Sequence, residues 1–176
     1  MKGSFGNKPS QAITFAGTPL HTIGNSVEAG DWAPEFKAIK NDMTEFDSKE
    51  NAGKVIVYSS VPSIDTKVCS IQTRYFNEQA AEFGDEVAIV TISADLPFAQ
   101  QRFCANEGIE NSVVISDYNH MDFAQKYGFQ IEELRLLSRG IVIVDKENKV
   151  RYVEYVKEIT NEVNFEKALE ALRELV

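Results

Sequence analysis

Cysteine is scarce in this chain. Its 176 residues hold two, Cys69 and Cys104. They form no Cys-x-x-Cys motif, which argues against a dithiol oxidoreductase, and two thiols alone suggest redox or catalytic chemistry more than a structural staple. Histidine is equally rare: His21 and His120 stand isolated, without metal-ligand spacing to either cysteine, so no zinc site is expected. No Gly-rich string followed by Lys trails a strand, which removes a phosphate-binding loop. Positive charge is in deficit, with 18 Lys and Arg against 27 Asp and Glu and a net charge of -9. So acidic a surface repels phosphate backbones and anionic lipid, which argues against nucleic-acid and membrane partners. No apolar run approaches membrane-spanning length, and "MKGSFGNKPSQAITFAG" lacks the continuous apolar stretch of a secretion signal. The expected location is the cytoplasm. Repeats, low-complexity tracts and linkers are also missing, so residues 1–176 are expected to form a single domain, with 1–30 an N-terminal extension.

What is present is a strand–helix alternation. "AITFAGTPLHTIG" holds two short alternations around Gly17-Thr18-Pro19 and predicts a β-hairpin within the extension. Gly30 and Pro34 mark turns, with Phe36 and Ile39 available for packing. "KVIVYSSV" (54–61), "EVAIVTIS" (86–93) and "SVVIS" (112–116) read as buried strands. Between them, Ile71, Tyr75, Phe76 and Ala80 predict one helix ending at Gly84. "ADLPFAQQRFCANEG" predicts another, with Pro97 early and Gly108 at its end. Leu96, Phe98 and Phe103 make that second helix read as largely apolar, so Cys104 reads as a packed residue. A helix through "MDFAQKYG", a hairpin over "RGIVIVDKENKVRYVEYV" and an amphipathic helix with Phe165, Leu169 and Leu172 on one face complete the chain. The order calls for a mixed sheet covered by helices on both faces, a thioredoxin-like α/β fold with a terminal hairpin at one edge. Trp32, Phe36, Phe98, Phe103 and Phe129 are expected in the core.

Cys69 falls where a central strand hands over to a helix, in "PSIDTKVC". Ligands and chemistry collect at such strand ends. The unpaired N–H groups of a helix's first turn favour an anion, so a thiol placed there ionises more readily and becomes a nucleophile. Thr66, one turn earlier, can direct its hydroxyl at the sulfur or at an incoming oxygen, and Pro62 can shield the sulfur from water. The same spacing also suits Thr66 as a simple helix cap and Cys69 as an inert buried residue.

Pro62-x-x-x-Thr66-x-x-Cys69 resembles the peroxiredoxin signature, and "PSIDTKVC" and "ISADLPFAQQRFC" are similar to strings of the bacterial thiol peroxidases. The likeness runs from the hairpin through "AGDWAPEF" to the closing helix. It departs at Val61, where the family usually carries phenylalanine, a change in pocket lining more than in chemistry. The resemblance implies that Cys69 is a peroxidatic cysteine, oxidised by hydrogen peroxide or alkyl hydroperoxides to a sulfenic acid. It implies Thr66 as the residue orienting the peroxide and Arg139 as the arginine that holds the thiolate and reacting oxygens. Cys104 would then be the resolving cysteine, closing a disulfide within the same subunit. Thioredoxin or a similar dithiol would reopen it, the protein would be a homodimer, and no flavin, haem or metal cofactor is implied.

Two other readings stay open on sequence. A peroxide-responsive redox sensor could use the same cysteine pair, and would stop near stoichiometry where an enzyme turns over. A non-catalytic domain with two buried thiols would not respond to peroxide at all.

Overall fold

The computed structural model describes residues 11–176; the first ten positions of the predicted 1–30 extension lie outside it. Seven strands form the central sheet. Three are parallel and follow the predicted runs: β5 (Val55–Ser60), β6 (Val87–Ser93) and β7 (Val113–Ser116). β10 (Gly140–Val144) pairs antiparallel with β5, and β11 (Val150–Tyr155) closes that edge as the predicted hairpin partner. The other edge is a hairpin the sequence reading did not contain, β3 (Lys37–Lys40) and β4 (Glu45–Asp47), so the order is β11-β10-β5-β6-β7-β3-β4. The N-terminal hairpin of β1 (Gln11–Phe15) and β2 (Thr18–Ile23) joins two very short strands, β8 (Gln130–Ile131) and β9 (Leu136–Leu137), in a second sheet. Its turn falls at Ala16-Gly17 rather than at Pro19, which lies inside β2.

β5, β6 and β7 lie side by side in chain order. Right-handed crossovers therefore put α1 (Lys67–Phe83) and α2 (Pro97–Glu107) on the same face of the sheet. Arg74 of α1 reaches Glu107 of α2 at 3.4 Å across that face. α4 (Phe165–Leu175) packs beside α1, burying Ala168 and Leu172 with Phe76, Val57, Ile141 and Ile143. The opposite face carries α3 (Asp122–Tyr127) and the aromatic cluster of Phe36, Tyr58, Phe123, Tyr127 and Phe129. Alternation along β5 sends Val55 and Val57 to one core and Ile56 and Tyr58 to the other, the period-2 pattern of a strand buried on both sides. Each fully buried side chain of this kind contributes about 1.5–3 kcal/mol.

Two expectations about helices need correction. The buried stripe of α1 is Cys69, Gln72, Thr73, Phe76, Asn77 and Ala80, half of it polar, while Ile71 and Tyr75 are only half-buried. α2 is not an apolar packed helix. Leu96, its N-cap, is 52% exposed and Phe98 62%, and only Pro97 and Gln100 are buried within it. Trp32, also expected in the core, is 65% exposed, with the Lys149 ammonium 4.8 Å from its ring centre. Phe36 and Phe129 are buried as expected.

Candidate active site

The register of β5 against β10 pairs Ser60 with Gly140. Arg139, one residue before, therefore emerges beside the loop that leads from β5 to α1. Gly140 itself has no room for a side chain: a Cβ there would run into the Glu154 carbonyl and the Phe129 ring.

The loop is fastened before the helix begins. Asp95, just beyond β6, accepts hydrogen bonds from Ser63 Oγ at 2.8 Å and the Ile64 N–H at 2.9 Å, and from Ser93 Oγ at 2.6 Å. Thr66 is the N-cap of α1. Its hydroxyl accepts the Cys69 N–H at 3.3 Å and donates to the Ser63 carbonyl at 3.3 Å, and the residue stays exposed. Pro62 is buried at the loop entry, next to Val61. One turn beyond Cys69, the Thr73 hydroxyl donates to the Cys69 carbonyl at 2.8 Å.

Cys69 is fully buried, at 0% exposure. Arg139 lies against it, 2% exposed, and spends all three of its nitrogens inside the protein. Nη2 donates to Cys69 Sγ at 3.1 Å, Nη1 to Gln72 Oε1 at 3.0 Å and Nε to the Ile159 carbonyl at 2.8 Å. Of these three partners only the Cys69 sulfur can carry a negative charge to balance the buried guanidinium. Gln72 is itself held through Nε2, which donates to Ser59 Oγ at 2.7 Å. Ile159 is held from the N-terminal hairpin: its N–H donates to the Thr14 carbonyl at 3.0 Å. The neighbouring Glu158 carboxylate gathers Thr14 Oγ1, the Ala16 and Gly17 N–H groups and the Thr160 hydroxyl and N–H. Those hydrogen bonds, the Thr160 N–H first, hold its pKa down to about 2. The hairpin thus supports Arg139 at second hand.

Cys104 has a different setting. It lies about 10 Å along α2 from Pro97, on the part of the helix that has run back toward the start of β7. It is half-buried, and both cysteines are free thiols. Its carbonyl accepts the N–H groups of Gly108 and Ile109, with Gly108 in the left-handed conformation (φ 65°) that ends helices. Burial pushes the Cys104 thiol up, and a hydrogen bond from Asn41 pulls it the other way.

The structure therefore brings together Pro62, Thr66, Cys69 and Arg139 around one loop and helix start, and leaves Cys104 on a second helix of the same face. A family profile described as Redoxin matches residues 28–172. A thiol peroxidase of Halalkalibacterium halodurans is 48% identical over 162 residues, covering 92% of this chain and 97% of its own. The chain belongs to the thiol peroxidase family of peroxiredoxins. A thiol peroxidase of Bacillus subtilis shows 48% identity over 164 residues, with 93% and 98% covered. A solved peroxiredoxin-like protein from Aquifex aeolicus, 38% identical, superposes with a TM-score of 0.87 over 94% of this chain and 97% of its own.

Sequence reasoning missed several parts of the candidate site in this thiol peroxidase family member. Gln72, Ser59 and Asp95 position the loop, the helix and the arginine, yet each reads in sequence as an ordinary polar residue. The one available signal was Gln72, three residues after Cys69 and so on the same helix face. Asn41, beside Cys104, carried no signal, because the hairpin that presents it was not foreseen.

Proposed function

We propose that the chain reduces hydrogen peroxide and organic hydroperoxides through a sulfenic acid on Cys69, with Cys104 as the resolving cysteine and thioredoxin or a similar dithiol as the reductant. The observation that carries this reading is the Arg139 nitrogen 3.1 Å from Cys69 Sγ, both groups being buried. Cys69 attacks the nearer peroxide oxygen as a thiolate. The S–O bond forms as the O–O bond breaks, and the departing oxygen takes a proton to leave as water or alcohol. Charge moves from sulfur to oxygen in that step, so a fixed cation facing both atoms stabilises it. Thr66 orients the peroxide and Pro62 excludes water. Cys104 then attacks the sulfenic sulfur, its oxygen leaves as water, and the disulfide accepts two electrons and two protons from the dithiol.

A disulfide needs its Cα atoms about 4.4–6.8 Å apart, so we expect local opening of one or both helix ends during turnover. The shallow packing of α2 favours that opening. Exposed Leu96 and Phe98 suit a homodimer contact, and a reducing cytoplasm suits a cycle that needs free thiols. Among the described residues no helix is long and apolar enough to cross a membrane.

The test is intact mass with thiol counting after one equivalent of peroxide, on the parent chain and on Cys69→Ser and Cys104→Ser. Loss of two hydrogens in the parent, no change in Cys69→Ser and an oxygen adduct in Cys104→Ser are the expected results. A parent that keeps its mass and both thiols would overturn the reading. Sustained peroxide consumption with catalytic thioredoxin separates an enzyme from a sensor.

A further inference from the structure

Asn41 sits in the turn between β3 and β4, and its Nδ2 lies 3.8 Å from Cys104 Sγ. The oxygen of the same carboxamide is buried without a hydrogen-bond partner. Both side chains line a hollow of about 380 Å³, together with Gln101, Ile109 and Ser112. Lys40 and Asp42 are the charged side chains on its wall, and both are engaged elsewhere: Lys40 with Glu50 at 2.8 Å, Asp42 with the Thr44 hydroxyl and N–H. Among the described residues the Asn41 amide, which is uncharged, is the one hydrogen-bond partner of the Cys104 sulfur.

A buried oxygen without a partner destabilises the fold, so this amide orientation needs a gain at its nitrogen end. A neutral thiol is a weak acceptor and offers little. A thiolate is a strong one. Turning the amide by 180° would instead present its oxygen to the Cys104 S–H. One side chain can therefore accept from the thiol and donate to the thiolate without any movement of the backbone.

We propose that Asn41 is a positioning residue for the resolving step: it seats Cys104 and, through its N–H, holds the sulfur in the charged form that goes on to attack. This rests on the resolving role given to Cys104 above. In that step the Cys104 thiolate supplies the electron pair of the new S–S bond, the S–O bond of the Cys69 sulfenic acid breaks, and the hydroxide released takes one proton to become water. Burial opposes ionisation of Cys104, and Asn41 is the group that counters it.

The test reads Cys104 alone first. In a Cys69→Ser chain, the rate of alkylation by iodoacetamide is followed against pH. Asn41→Ala is expected to move the midpoint to higher pH and to lower the rate at pH 7 about threefold or more, the loss of one hydrogen bond to a thiolate. Asn41→Asp, which places an acceptor and a charge there, is expected to move it further. A mere loosening of α2 would raise the rate at every pH and leave the midpoint in place; that result would overturn the proposal. In the chain with both cysteines, rapid quenching after peroxide should show Cys69 oxidised at the parent rate and the disulfide closing more slowly in Asn41→Ala. Closure at the parent rate would overturn the role of Asn41. A shifted midpoint in a protein that never closes the disulfide would overturn the resolving role of Cys104 instead.

Discussion

Cys69 and Cys104 lie on the same face of one sheet, and their surroundings differ in almost every respect. Cys69 is enclosed where α1 meets β5 and β10, and its arginine is fixed by Gln72 and Ile159, which are fixed in turn by Ser59 and Thr14. Cys104 is half-buried on a helix that buries only Pro97 and Gln100, and among the described residues its sulfur has one hydrogen-bond partner, an amide at 3.8 Å. A sulfur that must attack peroxide gains from donors already in place, because nothing has to reorganise as charge develops. A sulfur that must reach another sulfur gains from a helix that opens at small cost. The contrast between rigid and loose surroundings fits the division of labour proposed for the two thiols.

That contrast can be broken most forcefully at Arg139. Arg139→Met is expected to slow peroxide consumption by about two to three orders of magnitude. Arg139→Lys should recover little of it, since one ammonium cannot serve three partners in a fixed fork. Stopped-flow peroxide traces, with a thermal melt to confirm folding, decide the point; a parent-like rate in Arg139→Met would remove the arginine from the chemistry.

Gln72→Leu comes next. It leaves Arg139 Nη1 and Ser59 Oγ without their partner, and should cost about 1–3 kcal/mol in urea melts. The same change should slow the first oxidation roughly tenfold, because the arginine is no longer held in register with the sulfur. An unchanged rate with lowered stability would make Gln72 structural only.

Thr66 separates capping from orientation. Thr66→Val should lose about 1 kcal/mol of helix capping. Thr66→Asn restores an N-cap oxygen without a hydroxyl, so stability should return while peroxide consumption stays depressed. If Thr66→Asn recovers both, the hydroxyl is a cap and nothing more.

The smallest effect is expected from acid at Glu158. Its folded pKa, about 2, lies below the ordinary value of 4.5. Its contribution to the hairpin is therefore fully present above the unfolded pKa and fades as pH falls toward the folded one. Amide exchange between pH 5 and 2 should show protection of residues 14–17 falling in the parent and already low and flat in Glu158→Gln. Residues around Cys104 should not respond. Equal response in both regions would mean that the hairpin does not serve Cys69 selectively.

Much of the fold was legible, because its central strands are continuous apolar runs and its helices end at Gly84, Gly108 and Gly128. The P-x-x-x-T-x-x-C spacing likewise pointed to a strand-to-helix turn. What stayed hidden has physical reasons. β3 and β4 lie at a sheet edge with little apolar pattern, and β8 and β9 span two residues each, too short to display a period. Gln72, Thr73 and Asn77 look like a solvated helix face, and only the tertiary fold supplies the partners that allow amides and hydroxyls to be buried there. Phe98 and Trp32 misled in the opposite sense: an aromatic residue reads as core until its helix or loop is seen to face outward.

The bonds on either side of Cys69 act as a leash. Ile64 is pinned to Asp95 and Gln72 is pinned to Ser59, so seven residues lie between two side-chain anchors. Cys69 stands three residues from the nearer knot. Fully drawn out, three residues span about 10 Å, and that bounds how far its Cα can stray from the Gln72 Cα without breaking the arginine's support. If the two sulfurs meet, α2, which buries only Pro97 and Gln100, is the less tethered of the two helices.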